Sequence, residues 1–122
     1  MSTRKILIVD DEPNIVMSLE YAFKKKNFEV FVARDGSEAV QIAEKQLPNV
    51  ILLDIMMPQM DGYETMKKLR ENKDLRSTKV IFISAKNKTS QIQKGLKMGA
   101  DRYITKPFSV KKLILEIEAL LN

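Results

Sequence analysis

Ile6-Leu7-Ile8-Val9-Asp10-Asp11-Glu12 begins as an apolar, largely β-branched run and ends in three consecutive acids. The pattern of an apolar run closed by a polar group returns three times. Val50-Ile51-Leu52-Leu53 is closed by Asp54, Val80-Ile81-Phe82-Ile83 by Ser84, and Tyr103-Ile104-Thr105 by Lys106. Runs this short, separated by helical patterns, read as buried strands of a parallel sheet. In such a sheet the carboxyl ends of the strands share one edge, where ligands bind. Distant positions therefore converge on one crevice, bringing at least three carboxylates, one hydroxyl and one ammonium. That set can hold a divalent cation and receive a phosphoryl group.

Strand and helix signals alternate along the whole chain. Lys5–Val9 is the first strand, and Pro13 suits the first turn of the helix after it, where its missing N–H costs nothing. Ile15, Leu19, Ala22 and Phe23 share one face of that helix. Glu29–Ala33 is the second strand. Asp35 and Glu38 have capping-box spacing and open a helix over 36–45, with Ala39, Val40 and Ala43 inward. Pro48 ends it, and the third strand runs to Asp54. The spacing predicts a third helix over 63–71 with Met66 and Leu69 in the core, a loop over 72–78, and a fourth strand ending at Ser84. Thr89 or Ser90 is expected to cap a fourth helix with Ile92, Leu96 and Met98 as its apolar positions and Gly99 as its stop. The fifth strand is 102–105. Ser109 caps a fifth helix, where Leu113, Ile114, Ile117, Leu120 and Leu121 repeat at helical spacing. Five strand–helix units without repeats or linkers predict one domain over 1–122, a doubly wound α/β sandwich with helices on both faces. Periodicity leaves the strand order open.

Composition narrows the chemistry. The chain has 122 residues, enough for one domain that buries roughly two-thirds of its unfolded surface. It contains no cysteine and no histidine, which excludes disulfides, thiolate or imidazole metal sites, and any Ser-His-Asp triad. Carboxylates, hydroxyls, lysines and a metal they hold remain. The first residues lead directly into a strand, without a signal-peptide or membrane-spanning pattern, so a cytoplasmic protein with no membrane contact is expected. The net charge of +5 is read as lysines on solvated helix faces, because no basic stripe carries interleaved aromatics. Direct nucleic-acid binding is not expected.

Each crevice residue has an ordinary reading alone. Asp10, Asp11 and Asp54 could be helix caps, Ser84 a satisfied core hydroxyl, and Lys106 a solvated lysine. Together they weigh differently. Carboxylates clustered at one sheet edge repel and raise one another's pKa unless a cation compensates. Mg²⁺ suits such a site, being a hard ion content with a few carboxylates, waters and a phosphate oxygen. Pro107 restricts Lys106 to extended conformations and helps aim its side chain. Pro58 and Asp61-Gly62 give the loop after Asp54 stiffness and a turn.

The ordered set Asp10-Asp11-Glu12, Leu53-Asp54, Met57-Pro58-Gln59-Met60-Asp61-Gly62, Ser84-Ala85, Gly99-Ala100-Asp101 and Lys106-Pro107-Phe108 resembles the response-regulator receiver domain, of the chemotaxis-regulator kind. The resemblance covers essentially the whole chain. It implies a flavodoxin-like five-stranded parallel sheet of order 2-1-3-4-5 with five helices. It implies that Asp54 is phosphorylated by a sensor histidine kinase or a histidine phosphotransfer protein, with Mg²⁺ as cofactor. Carried over residue by residue, Asp54 is the phosphoacceptor and a metal ligand. Asp11 binds Mg²⁺ directly, Asp10 directly or through water, and the Met56 backbone carbonyl completes the set. Lys106 pairs with the phosphoryl oxygens, Ser84 hydrogen-bonds one of them, and the Lys106-Pro107 peptide bond is cis. Ser84 and Tyr103 form the switch that alters the surface of the fourth helix, fifth strand and fifth helix. Phosphoryl transfer to a carboxylate needs positioning and charge neutralisation rather than a general base, which agrees with the absence of histidine.

The output partner stays open, with a monomer or a phosphorylation-dependent homodimer as the expected state. Winged-helix relatives pair through that surface by complementary charges, and Lys97 and Arg102 depart from their pattern. Two alternatives use the same residues. A Mg²⁺-dependent phosphohydrolase with an Asp nucleophile would carry a second acid two residues on, where Met56 stands. A receiver-like binding module that never takes phosphate would have no need of the complete acidic and basic set.

Overall fold

The computed structural model describes residues 3–57 and 59–122; Pro58 and the role expected of it lie outside the described residues. Five strands, β1 (Lys5–Val9), β2 (Glu29–Ala33), β3 (Val50–Asp54), β4 (Lys79–Ser84) and β5 (Arg102–Thr105), form one sheet of order β2-β1-β3-β4-β5. All neighbours are parallel, with Val9 level with Leu53, Asp54 with Ile83, and Ser84 with Thr105. The expected 2-1-3-4-5 order is the one found. The central strands are buried on both faces, which is why β1, β3 and β4 read as continuous apolar runs rather than alternating ones.

The helices are α1 (Pro13–Lys25), α2 (Gly36–Gln46), α3 (Gly62–Glu71), α4 (Thr89–Lys97) and α5 (Val110–Leu121). Alternate residues of each strand feed two cores. Ile6, Ile8, Leu52 and Ile81 pack with Leu19 and Phe23 of α1 and Leu113, Ile114 and Ile117 of α5. Leu7, Val9, Leu53 and Phe82 pack on the other face with Ala39 and Ala43 of α2 and Met66 and Leu69 of α3. Side-chain caps start three helices, with Asp35, Asp61 and Ser109 accepting the amides of Glu38, Glu64 and Lys112. Past the end of α4, Gly99 takes a φ of +103°, as a helix stop requires. Among the described residues no helix is long and apolar enough to cross a membrane.

Two local expectations are corrected. The stretch 72–78 is not simply loop, because Lys73–Leu75 forms a 3₁₀ turn. Asn72 caps it by accepting the Asp74 amide at 2.9 Å, and the turn drives Leu75 into the core. The second correction is α4. Its N-cap is Lys88, whose amide donates to Gln91 Oε1, and not Thr89 or Ser90. Leu96 is 44% exposed, and Gly95 is the residue α4 buries. The helix meets the sheet by its backbone there. A Cβ on Gly95 would lie 2.9 Å from both the Phe82 and Tyr103 rings, so only glycine lets α4 come this close.

Candidate functional site

A buried acid follows β1 and another ends β3, Asp10 at 3% and Asp54 at 4% exposure. An Asx turn fixes each one: Asp10 Oδ1 accepts the Glu12 amide at 2.9 Å, and Asp54 Oδ1 accepts the Met56 amide at 3.1 Å. Lys106 follows β5, its amide donating to Ser84 O at 2.8 Å, and its peptide bond to Pro107 is cis. Its ammonium reaches back across the edge. Nζ lies 2.9 Å from Glu12 Oε1, 3.2 Å from Asp10 Oδ2 and 3.5 Å from Asp54 Oδ2.

The three carboxylates supply oxygens within 4.8 Å of one another. That cluster has an electrostatic cost. Burial, and then the charge of Asp10, push the Asp54 carboxyl up to about 6, against the opposing pull of Lys106 and the Met56 amide. Burial also works against the Lys106 ammonium. The Glu12 hydrogen bond and the charges of Asp54 and Asp10 outweigh it, and the Lys106 pKa is raised. Hard oxygen donors that remain short of positive charge are the donor chemistry of a small divalent cation.

Of the residues singled out from sequence, Asp10, Asp54 and Lys106 meet. Asp11 does not join them. It is exposed and shares with Asp10 the cavity lined by Pro13, Val16, Met17, Glu20, Val32 and Arg34. Glu12 takes the third place in the trio. The Asx turn at Asp10 holds the Glu12 amide, and Lys106 bridges the Asp10 and Glu12 carboxylates. Alternation continued two residues past the strand would have favoured Glu12. The Met56 side chain is 54% exposed and its amide serves Asp54.

Ser84 is fully buried at the end of β4, and its Oγ accepts the Lys86 amide at 3.1 Å. The half-buried Tyr103 donates its hydroxyl to Lys86 O at 2.9 Å. Both switch candidates therefore hold the backbone of one residue, Lys86, from its two sides. Sequence reasoning left that meeting point unmarked, because any residue supplies a backbone amide and carbonyl. Among the described residues no buried side-chain polar atom lacks a partner.

The loop after Asp54 returns through Gly62, whose amide donates to Ile55 O at 2.9 Å. A Cβ there would lie 2.7 Å from Ile55 Cα and 2.8 Å from Asp54 O, both backbone atoms that cannot swing aside. Gly62→Ala is expected to cost about 2 kcal/mol in urea unfolding, the range of overpacking in a tight site. It should also shift the Asp54 and Met56 amide resonances; unchanged stability and resonances would show that the loop is slack.

Comparison with known proteins follows the same lines. Residues 6–118 match the family model of the response regulator receiver domain. The alkaline phosphatase synthesis transcriptional regulatory protein PhoP of Bacillus subtilis (strain 168) is 40% identical over 119 residues, which are 98% of this chain and 49% of that protein. The chain thus spans about half the length of the curated relative it matches. The receiver domain of the Francisella response regulator 1452 superposes with a TM-score of 0.90 at 36% identity, covering 98% of this chain and 97% of that one. The chemotaxis response regulator CheY4 of Vibrio cholerae gives a TM-score of 0.92 at 29% identity, covering 98% of this chain and 100% of its own. The chain belongs to the response regulator receiver family, the signalling domains of two-component systems.

Proposed function

We propose that residues 1–122 work as one receiver unit in which Asp54 accepts a phosphoryl group from a histidine of a partner kinase or histidine phosphotransfer protein. The observation that carries this reading is the buried Asp54 carboxylate, 3.5 Å from the Lys106 ammonium and beside Asp10 at the ligand edge of the sheet. In the transfer a carboxylate oxygen of Asp54 attacks phosphorus, the P–N bond to the donor imidazole breaks, and the imidazole leaves with its electron pair. No group on this chain has to remove a proton, because the acceptor is already ionised near neutral pH. Lys106 orients and neutralises the phosphoryl oxygens, and Ser84 turns its hydroxyl from Lys86 toward one of them.

Asp10, Asp54 and the Met56 carbonyl, with Asp11 on the same turn as Asp10, are the proposed oxygen donors for Mg²⁺. Bound there, the ion would supply neutralisation of the charge that builds up among carboxylate and phosphoryl oxygens. Glu12 serves to tether the Lys106 ammonium. The chain is an acceptor and switch in the cytoplasm rather than a turnover enzyme. It has no nucleic-acid or membrane contact of its own, and is a monomer or a phosphorylation-dependent homodimer.

The added charge and acceptor oxygens bias two conformations. Ser84 leaving the Lys86 amide loosens the residue whose carbonyl holds Tyr103, and α4, β5 and α5 carry the altered surface to an output partner. Near-complete switching needs a differential of about 5 kcal/mol. Intact mass after incubation with Mg²⁺ and a small-molecule phosphodonor tests the reading. One added phosphoryl group is expected, lost without Mg²⁺ and lost in Asp54→Asn. Labelling that persists in Asp54→Asn would remove Asp54 as the acceptor.

A further inference from the structure

Gly62 is locked to the backbone of Asp54 and Ile55, and the residue that follows it is Tyr63. The Tyr63 ring stands edge-on to Phe82 with centroids 5.6 Å apart, and Phe82 stands edge-on to Tyr103 at 6.4 Å. α4 lies across this aromatic row. Gly95 presses on Phe82 and Tyr103, and its neighbour Lys94 sets Nζ 4.2 Å from the centre of the Tyr63 ring. An ammonium at that distance over a ring face is held by the ring quadrupole. Lys94 is therefore an α4 side chain that rests on the residue next to Gly62, which is tied directly to the loop after Asp54.

We propose that Lys94 on Tyr63 is a latch that holds α4 in its resting position and couples it to Asp54 independently of Ser84 and Tyr103. The inference rests on Asp54 being the acceptor. Ser84 Oγ is here bonded to the Lys86 amide, so the arrangement with the latch closed is the resting one. A charge added at Asp54 strains the loop that carries Gly62 and Tyr63, and the ring shifts under Lys94. Lys94 and Tyr63 are positioning residues and do not touch the reacting atoms.

The test is a titration of the full chain with beryllofluoride and Mg²⁺, followed by NMR at the Asp54 and Met56 amides and at the Lys94 ε-methylene protons. In the starting protein those protons are expected to be shifted upfield by the ring, and Tyr63→Leu should abolish that shift. Opening the latch favours the switched state, so Lys94→Gln should lower the half-saturating beryllofluoride about two- to five-fold. Lys94→Arg, which keeps a cation over the ring, should behave like the starting protein. Lys97→Gln removes an equal charge one turn away and should change nothing. Tyr63→Leu and Lys94→Gln combined should act no more strongly than either alone. An unchanged midpoint in Lys94→Gln, or an equal shift in Lys97→Gln, overturns the latch. Responsive Asp54 amides with a static Lys94 overturn it as well, and leave Asp54 as the acceptor. Silent amides at Asp54 and Met56 would bring down both.

Discussion

Metal-free Asp54→Asn protein is expected to be more stable than the starting protein at pH 7, by about 3 kcal/mol. The Asp54 carboxyl is raised from 3.8 to about 6 in the folded chain. The folded state therefore holds this proton more tightly than the unfolded state does. Stability that depends on it is fully present below pH 4 and is lost as pH rises through about 6, the reverse of a salt-bridged carboxylate. A shift of this size corresponds to about 3 kcal/mol by linkage. Asparagine is close to the neutral carboxylic acid in shape and does not titrate, so it keeps at pH 7 what the carboxyl gives up. Urea unfolding of both proteins between pH 4 and pH 8, without divalent ions, measures the difference. It should be near zero at the acid end, grow between pH 4 and 6, and level off above. A difference independent of pH would mean that Asp54 is not under electrostatic stress. Millimolar Mg²⁺ should stabilise the starting protein more than the variant, because the ion relieves repulsion that asparagine never had.

Why the chain keeps an acid that costs stability follows from the location of the cost. It falls on the proposed phosphoacceptor, at a sheet edge where a cation and phosphoryl oxygens would offset it. The residues that make the stress were legible in the sequence, since Asp10, Asp54 and Lys106 each close an apolar run and a parallel sheet must bring such ends together. The fold was legible for the same reason. Strands buried on both faces write themselves as unbroken runs, and Gly99, Asp35 and Ser109 mark helix ends by local chemistry that does not depend on the rest of the chain.

What was not legible depended on distant contacts. Leu75 is one apolar residue among polar ones, and only the core waiting beneath it makes the 3₁₀ turn worthwhile. In α4 the apolar period pointed to Leu96, yet the helix is seated through Gly95, because the Phe82 and Tyr103 rings leave no room for a side chain. The contact of Glu12 with Lys106 spans 94 positions of sequence, and no local pattern announces it. The seat of Lys94 on Tyr63 joins residues with no shared sequence pattern.

Lys106→Met should be the most damaging conservative change in the site. Methionine keeps the apolar stem and removes the ammonium that faces Asp10, Glu12 and Asp54 at 2.9 to 3.5 Å. Two of those acids are buried, and the Lys106 side chain itself is 13% exposed, so water replaces little of what is lost. Removing one partner of such a buried set costs about 3 kcal/mol, since the remaining charges stay behind uncompensated. In Lys106→Met the stability deficit at pH 7 should shrink when pH is lowered to 5 and Asp54 takes up a proton. It should also shrink when Asp54→Asn is introduced alongside, because the two changes act on one charge cluster and do not add. Transfer to Asp54 from a small-molecule donor should slow on the order of a hundredfold even with saturating Mg²⁺, as when one preorganised donor to a developing oxyanion is lost. These two losses separate the roles of the ammonium. A large stability cost with unchanged labelling would make Lys106 a counter-charge only, whereas slow labelling in a fully stable protein would place it on the phosphoryl oxygens alone. Loss of both is what one ammonium shared by three carboxylates at rest, and by a phosphoryl group in transfer, requires.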